Sequence, residues 1–84
     1  MRKEIRVGVI CDPRKGVIPV WFVFMGEKYK IKDITYRWVV RKGVNYTDHY
    51  SVSDGENQFE IVYDRLNAKW MIENIYNGYD SIIP

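Results

Sequence analysis

One cysteine, one histidine and three prolines are all that this 84-residue chain holds of the residues that staple, ligate and kink. A lone Cys11 rules out an internal disulfide. There is no CxxC, no HxH, no glycine-rich phosphate loop and no GxSxG, so metal, nucleotide and serine-hydrolase chemistry have no signal. Long apolar runs are missing too. The most apolar stretch, residues 17–25 (VIPVWFVFM), is far shorter than the roughly 20 residues of a membrane-spanning helix. The N-terminal apolar stretch is interrupted by Glu4 and Arg6 and is no secretory h-region. A soluble, cytoplasmic protein with no cofactor and no membrane association is expected.

Helical periodicity is also absent. No stretch longer than a few residues repeats at i, i+3, i+4, whereas period-two alternation recurs between turn signals along the whole chain. What is abundant is aromatic: three Trp, seven Tyr and three Phe. So short a chain buries only roughly 60 % of its unfolded surface, and side chains that bury about 150–250 Å² each let it form a core without staples.

The alternation places the strands. Ile5, Val7 and Val9 alternate with charged or small residues, and Asp12-Pro13-Arg14-Lys15-Gly16 reads as a turn. Gly26-Glu27 reads as a two-residue turn, which would set Phe24 against Tyr29, Phe22 against Ile31 and Trp21 against Lys32. One face is then Phe22, Phe24, Tyr29 and Ile31, which is core. Asp54-Gly55 reads as a second two-residue turn, opposing Tyr50 to Phe59, Asp48 to Ile61 and His49 to Glu60. The stretch 64–69 (DRLNAK) makes a third turn, opposing Tyr63 to Trp70 and Ile61 to Ile72.

Between Tyr29-x-Ile31 and Ile34-x-Tyr36-x-Trp38-x-Val40 the apolar phase switches from odd to even. A bulge at Lys32-Asp33 would supply the extra residue and bend the strand so that it serves two sheets. A second slip is expected near Glu73-Asn74. The expected fold is all-β: a half-open antiparallel barrel or strongly bent meander of five to six strands, of SH3-like small-barrel type, with no long helix. It is one domain over residues 1–84, with a core from 4 to 76. Residues 77–84 form a tail in which Ile82 and Ile83 either close the barrel or fray.

The apolar and turn residues carry a resemblance. The string Pro19-x-Trp21-Phe22-x-Phe24-x-Gly26-x-x-Tyr29-x-Ile31-x-x-Ile34-x-x-x-Trp38 is followed by Tyr50-x-Val52, Phe59-x-Ile61-x-Tyr63-Asp64 and Trp70-x-Ile72-x-x-Ile75. Over roughly residues 18–76 the pattern resembles a family of small uncharacterised bacterial domains encoded alone, beside or fused to Y-family translesion DNA polymerases. Phe24 stands where that family has a Trp. The resemblance implies a role near DNA transactions by genomic company, and brings no catalytic residues with it.

Charge is unevenly spread. Residues 1–42 carry eleven Lys/Arg against four Asp/Glu, and residues 43–84 two against seven. Basic and acidic strands can pair across a sheet, or the basic half can meet an acidic partner. Lys28, Lys30 and Lys32 recur every second residue, with Trp21 among them, and Arg37 and Arg41 extend the stripe if odd positions face outward beyond the bulge. An aromatic plate among cations suits single-stranded nucleic acid, or a DNA-polymerase-type partner. The plainer alternative is that lysine stems cover Trp21, Val23 and Met25 while their heads stay wet.

Catalysis has little to draw on. A Cys11–His49 nucleophile pair is weighed and set behind a structural thiol and a surface histidine. The acids Asp48, Asp54, Glu56, Glu60 and Asp64 are taken as solvated surface rather than a paired-carboxylate site. The chain is expected to be a non-catalytic binding module. The alternatives are a protein-interaction module using an exposed strand edge or apolar patch and, more remotely, a small enzyme or ligand-binding barrel.

Overall fold

Seven antiparallel strands build the computed structural model, which describes residues 2–77. They are β1 (Lys3–Asp12), β2 (Gly16–Phe24), β3 (Glu27–Lys30), β4 (Asp33–Lys42), β5 (Asn45–Ser53), β6 (Asn57–Asp64) and β7 (Lys69–Asn77). They lie in the order β3-β2-β1-β7-β6-β5-β4, a single curled sheet that forms a half-barrel with β3 and β4 at its two edges. The all-β expectation holds, with seven strands in place of five or six. The strand that serves both halves is β1. Its Lys3–Ile5 segment pairs with β7 and its Arg6–Asp12 segment with β2, around a bulge at Gly8/Val9. The choice left open for the tail, closure by Ile82 and Ile83 or fraying, falls outside the described residues.

The third turn has the register read from sequence, with Tyr63 opposite Trp70 and Ile61 opposite Ile72, and the slip at Glu73 follows it. Asp12 makes the first turn, its Oδ1 accepting from Arg14 N at 2.7 Å and Lys15 N at 2.9 Å. Those two N–H groups hold the Asp12 carboxyl below the usual range.

Two other turns shift by one position each. The β2–β3 turn is centred on Met25-Gly26, not Gly26-Glu27, with φ of 51° and 78° at the two residues. That is the double positive φ of a type I′ turn, whose twist matches the flanking strands. Phe22 therefore faces Tyr29, and Trp21 faces Lys30. Between β5 and β6 the loop is longer than two residues. Asp54 Oδ1 accepts from Glu56 N and Asn57 N (2.9 and 2.7 Å), and Tyr50 faces Ile61 instead of Phe59. Both errors displace the pairing by two residues, so every side chain stays on its expected face.

The phase change takes a different form from the one expected. Lys32-Asp33 is not a bulge in one strand. The chain leaves β3, and the link donates Ile31 N to Val20 O (3.0 Å) and Lys32 N to Ser53 O (2.8 Å) before β4 begins. The bulge comes at Thr35, between Ile34 and Tyr36. Ile34 packs against the core, but beyond Thr35 the odd positions turn inward, so Arg37 faces the core residue Tyr50. Tyr36, expected to be core, is 67 % exposed, and Trp38 stacks on His49 on the outer face (5.1 Å between centroids).

The concave face holds the core: Ile5, Phe22, Phe24, Tyr50, Val52, Phe59, Ile61 and Ile72. Phe22 sits at its centre, stacked on Tyr29 and edge-on to Phe59, both at 5.0 Å. Offset and edge-to-face rings at such distances add about 0.5–1.5 kcal/mol per pair to the burial itself.

Candidate functional site

The six residues singled out from sequence divide among three places. Trp21, Lys28 and Lys30 share the convex face, where β2 and β3 pair Trp21 with Lys30 and Val23 with Lys28. Gly8 of β1 lies under Trp21 on one side, and the Lys28 ammonium sits 4.7 Å from the indole centroid on the other. Arg6, paired with Val23, adds a third cation to this face. Lys32 leaves the row, because the register shift removes it from Trp21 and its side chain lies against Gly55.

Arg37 and Arg41 do not extend the stripe. The bulge at Thr35 inverts the expected phase and carries both to the concave side, Arg41 over the Tyr46 ring (5.7 Å) and Arg37 over Tyr50 (5.0 Å). The cross-sheet charge pairing is limited. Among the described residues Arg2–Glu73 and Lys69–Glu4 link the two halves, only the first joining a base of the basic half to an acid of the acidic half, while Arg6, Lys28, Lys30 and Lys32 have no acidic side chain within salt-bridge reach.

The concave face opens at one end into a cleft of about 460 Å³. It is lined by Val9 and Val17 from β1 and β2, by Tyr63 and Trp70 from β6 and β7, by Asp48 and Tyr50 from β5, and by Arg37 and Arg65. The Arg37 guanidinium donates to Lys15 O (3.2 Å), Val17 O (3.3 Å) and Tyr50 Oη (3.5 Å), joining β4 to β2 where no strand ladder does. Trp70 lies 5.0 Å from Tyr63 and 5.5 Å from Tyr50, centroid to centroid. At the rim Arg65 makes a bidentate pair with Asp48, Nε to Oδ2 and Nη2 to Oδ1, both 2.8 Å. Hydrogen bonds from Arg65 hold the Asp48 carboxyl below the usual range, and burial pushes the Tyr50 hydroxyl up.

The acids taken as solvated surface are largely engaged. Asp64 caps the β6–β7 turn, accepting from Asn45 Nδ2, Leu66 N, Asn67 N and Asn67 Nδ2 between 2.9 and 3.2 Å. Glu60 reaches diagonally to His49 Nδ1 (3.2 Å) and accepts from Asn74 (3.0 Å), and His49 shares a further hydrogen bond with Thr47 (2.9 Å). His49 is buried on the convex side, with β6 and β7 between its strand and that of Cys11, which shares a face with Val17. The geometry does not bring the two together.

Sequence reading missed the cleft. Its signal was Asp48, which alternation places inward beside Tyr50: a carboxylate on a core-facing row calls for a cation. Arg65, in the next turn, supplies it. No family model matches the chain, and no curated protein and no solved structure matches it either. Among the described residues no helix is long and apolar enough to cross a membrane.

Proposed function

We propose that the chain is a non-catalytic binding module whose convex β1–β3 face engages single-stranded nucleic acid. Trp21 serves as the stacking plate, and Lys28, Lys30 and Arg6 meet phosphates. The observation that carries this reading is an indole seated on Gly8 with the Lys28 ammonium over its ring, on a face it shares with Lys30 and Arg6, none of the three cations having an acidic partner among the described residues. Lys28 covers the outer ring face, yet an exposed cation–π contact of about 0.5–1 kcal/mol yields to a stacked base worth about 1–3 kcal/mol. The displaced ammonium is then free for a phosphate. The resemblance to domains found beside translesion polymerases points to the same setting.

The test is a titration of isotope-labelled protein with a short oligothymidylate at low and physiological salt. Shifts should centre on Trp21, Lys28 and Lys30, and log K should fall with log salt at a slope of about −2, from three phosphate contacts. An absence of shifts at low salt sinks the proposal.

A second reading has its own support. Among the described residues the outer edge of β4 has no neighbouring strand, and Tyr36 and Val39 are exposed along that strand. Such an edge can take an extended segment of a partner protein by strand addition. Concentration-dependent sedimentation, with slowed exchange of β4 amides, would favour it over the first.

A further inference from the structure

The cleft has the makings of a ligand site on the face opposite Trp21, and nothing in the convex-face reading depends on it. Its volume, about 460 Å³, falls within the roughly 300–1,000 Å³ of small-molecule sites. Two of its lining residues, Val9 and Val17, are 41 % and 38 % exposed, so apolar side chains stand open to solvent in the same cleft as an aromatic pair. The charges within it are unequal in kind. Arg65 is neutralised by a bidentate carboxylate, whereas Arg37 forms no ion pair among the described residues. Its three hydrogen bonds, to two carbonyls and a phenol, are 3.2–3.5 Å long. A guanidinium bonded to an anion sits at about 2.7–2.9 Å and binds it roughly twice as strongly as a neutral acceptor. An anion entering the cleft therefore improves the bonding of Arg37 without breaking the Asp48–Arg65 pair.

The geometry points to a binding site for a small planar ring bearing one anionic group, of the size of a mononucleotide. The ring lies between the Trp70–Tyr63 wall and the Val9–Val17 wall, and the anion meets Arg37. Tyr50, beneath the guanidinium, holds it in place through a cation–π contact and the hydroxyl bond. Phosphate and carboxylate share this chemistry, so the ring and its one anionic group define the ligand class.

Indole N–H signals read the site, because each tryptophan is assigned by its own Trp→Phe variant and Trp70 is separate from Trp21 and Trp38. The intact 84-residue protein is titrated with thymidine 5′-monophosphate, 4-hydroxybenzoate, uncharged thymidine and inorganic phosphate. The Trp70 indole should shift with at least one of the two ring-bearing anions, and whichever binds more tightly identifies the anion preferred. Thymidine and phosphate should bind at least tenfold more weakly. Arg37→Gln should weaken the ring-bearing anion about tenfold. Since Arg37 also ties β4 to β2, Val17→Glu is the second variant: it sets a carboxylate into an exposed wall and should abolish binding in a protein whose spectrum stays folded. Lys28→Gln removes a cation of the convex face and should leave the Trp70 response as it is in the unaltered protein. Equal binding of thymidine and its monophosphate, a shift confined to Trp21, or no shift at Trp70 at millimolar ligand overturns the proposal.

Discussion

Trp21 lies so close over Gly8 that a Cβ at position 8 would stand 2.1 Å from both Cε2 and Nε1 of the indole. The two residues are partners across the β1–β2 ladder, so the glycine is the socket in which the tryptophan lies flat. Gly8→Ala should destabilise by about 1–3 kcal/mol, the usual range for overpacking, and should lift the indole off the sheet. In a Trp21→Ala background the same change should cost less than half as much, since the clash is gone. Urea unfolding of the four proteins of this cycle measures both effects. Additive losses would mean that Gly8 acts through the backbone alone.

Phe22 is the keystone of the concave core, fully buried between Tyr29 and Phe59. Truncation to alanine should cost about 3–5 kcal/mol, comparable to the whole stability of a domain with about 5–15 kcal/mol in hand. Phe22→Ala is therefore expected to be largely unfolded at 37 °C, and Phe22→Leu folded with a lowered urea midpoint. Near-ultraviolet circular dichroism and denaturation curves distinguish the two outcomes.

The direction of the pH dependence follows from where the shifted groups sit. Arg65 holds Asp48 down, and the Asn67 and Asn45 side chains with the Asn67 and Leu66 amides hold Asp64 down. A carboxyl depressed in the folded state contributes stability above its unfolded pKa of about 3.9, and loses it as pH falls through the folded value. Stability should thus decline below about pH 4. On the alkaline side Tyr29, through its bond to Glu27, and Tyr50, through burial, are raised, so stability should fall as pH rises past about 10. Arg65→Gln should move the Asp48 carboxyl titration, followed by carbon-13 shift, up towards its ordinary value. An unmoved midpoint would show that Arg65 is not the cause.

The fold was legible where alternation alone decides it. Faces survive a register error of two residues, so the inward row Phe22, Phe24, Tyr29, Phe59 and Ile61 could be read even though two of four turns were misplaced. Arg37 and Arg41 were put on the wrong face because the extra residue lies at Thr35 and not at Lys32-Asp33. Nothing local to Thr35 marks it: the bulge is set by how β4 meets β5 after the link has been tied to Ser53. The cleft was hidden for the same reason, since it needs Arg37 on the inside. Pairing of β1 with β7 is long-range, and no local pattern encodes it.

Met25 explains the misplaced β2–β3 turn and offers a sharper check of it. At φ 51° it occupies the left-handed region that methionine avoids, while its side chain is 78 % exposed and packs little. Sequence favours a turn that gives Gly the first central position, yet the strand twist selects a type I′ turn and forces Met25 into the position where Asn or Gly belongs. Met25→Asn creates Asn-Gly at the two central positions and should stabilise the protein by about 0.5–1 kcal/mol, less than the roughly 1–2 kcal/mol of left-handed strain because Asn keeps part of it. If the turn were instead centred on Gly26-Glu27, Met25 would be an extended strand residue, and asparagine there, a poor strand former, would destabilise. The sign of the change in urea midpoint therefore decides between the two registers.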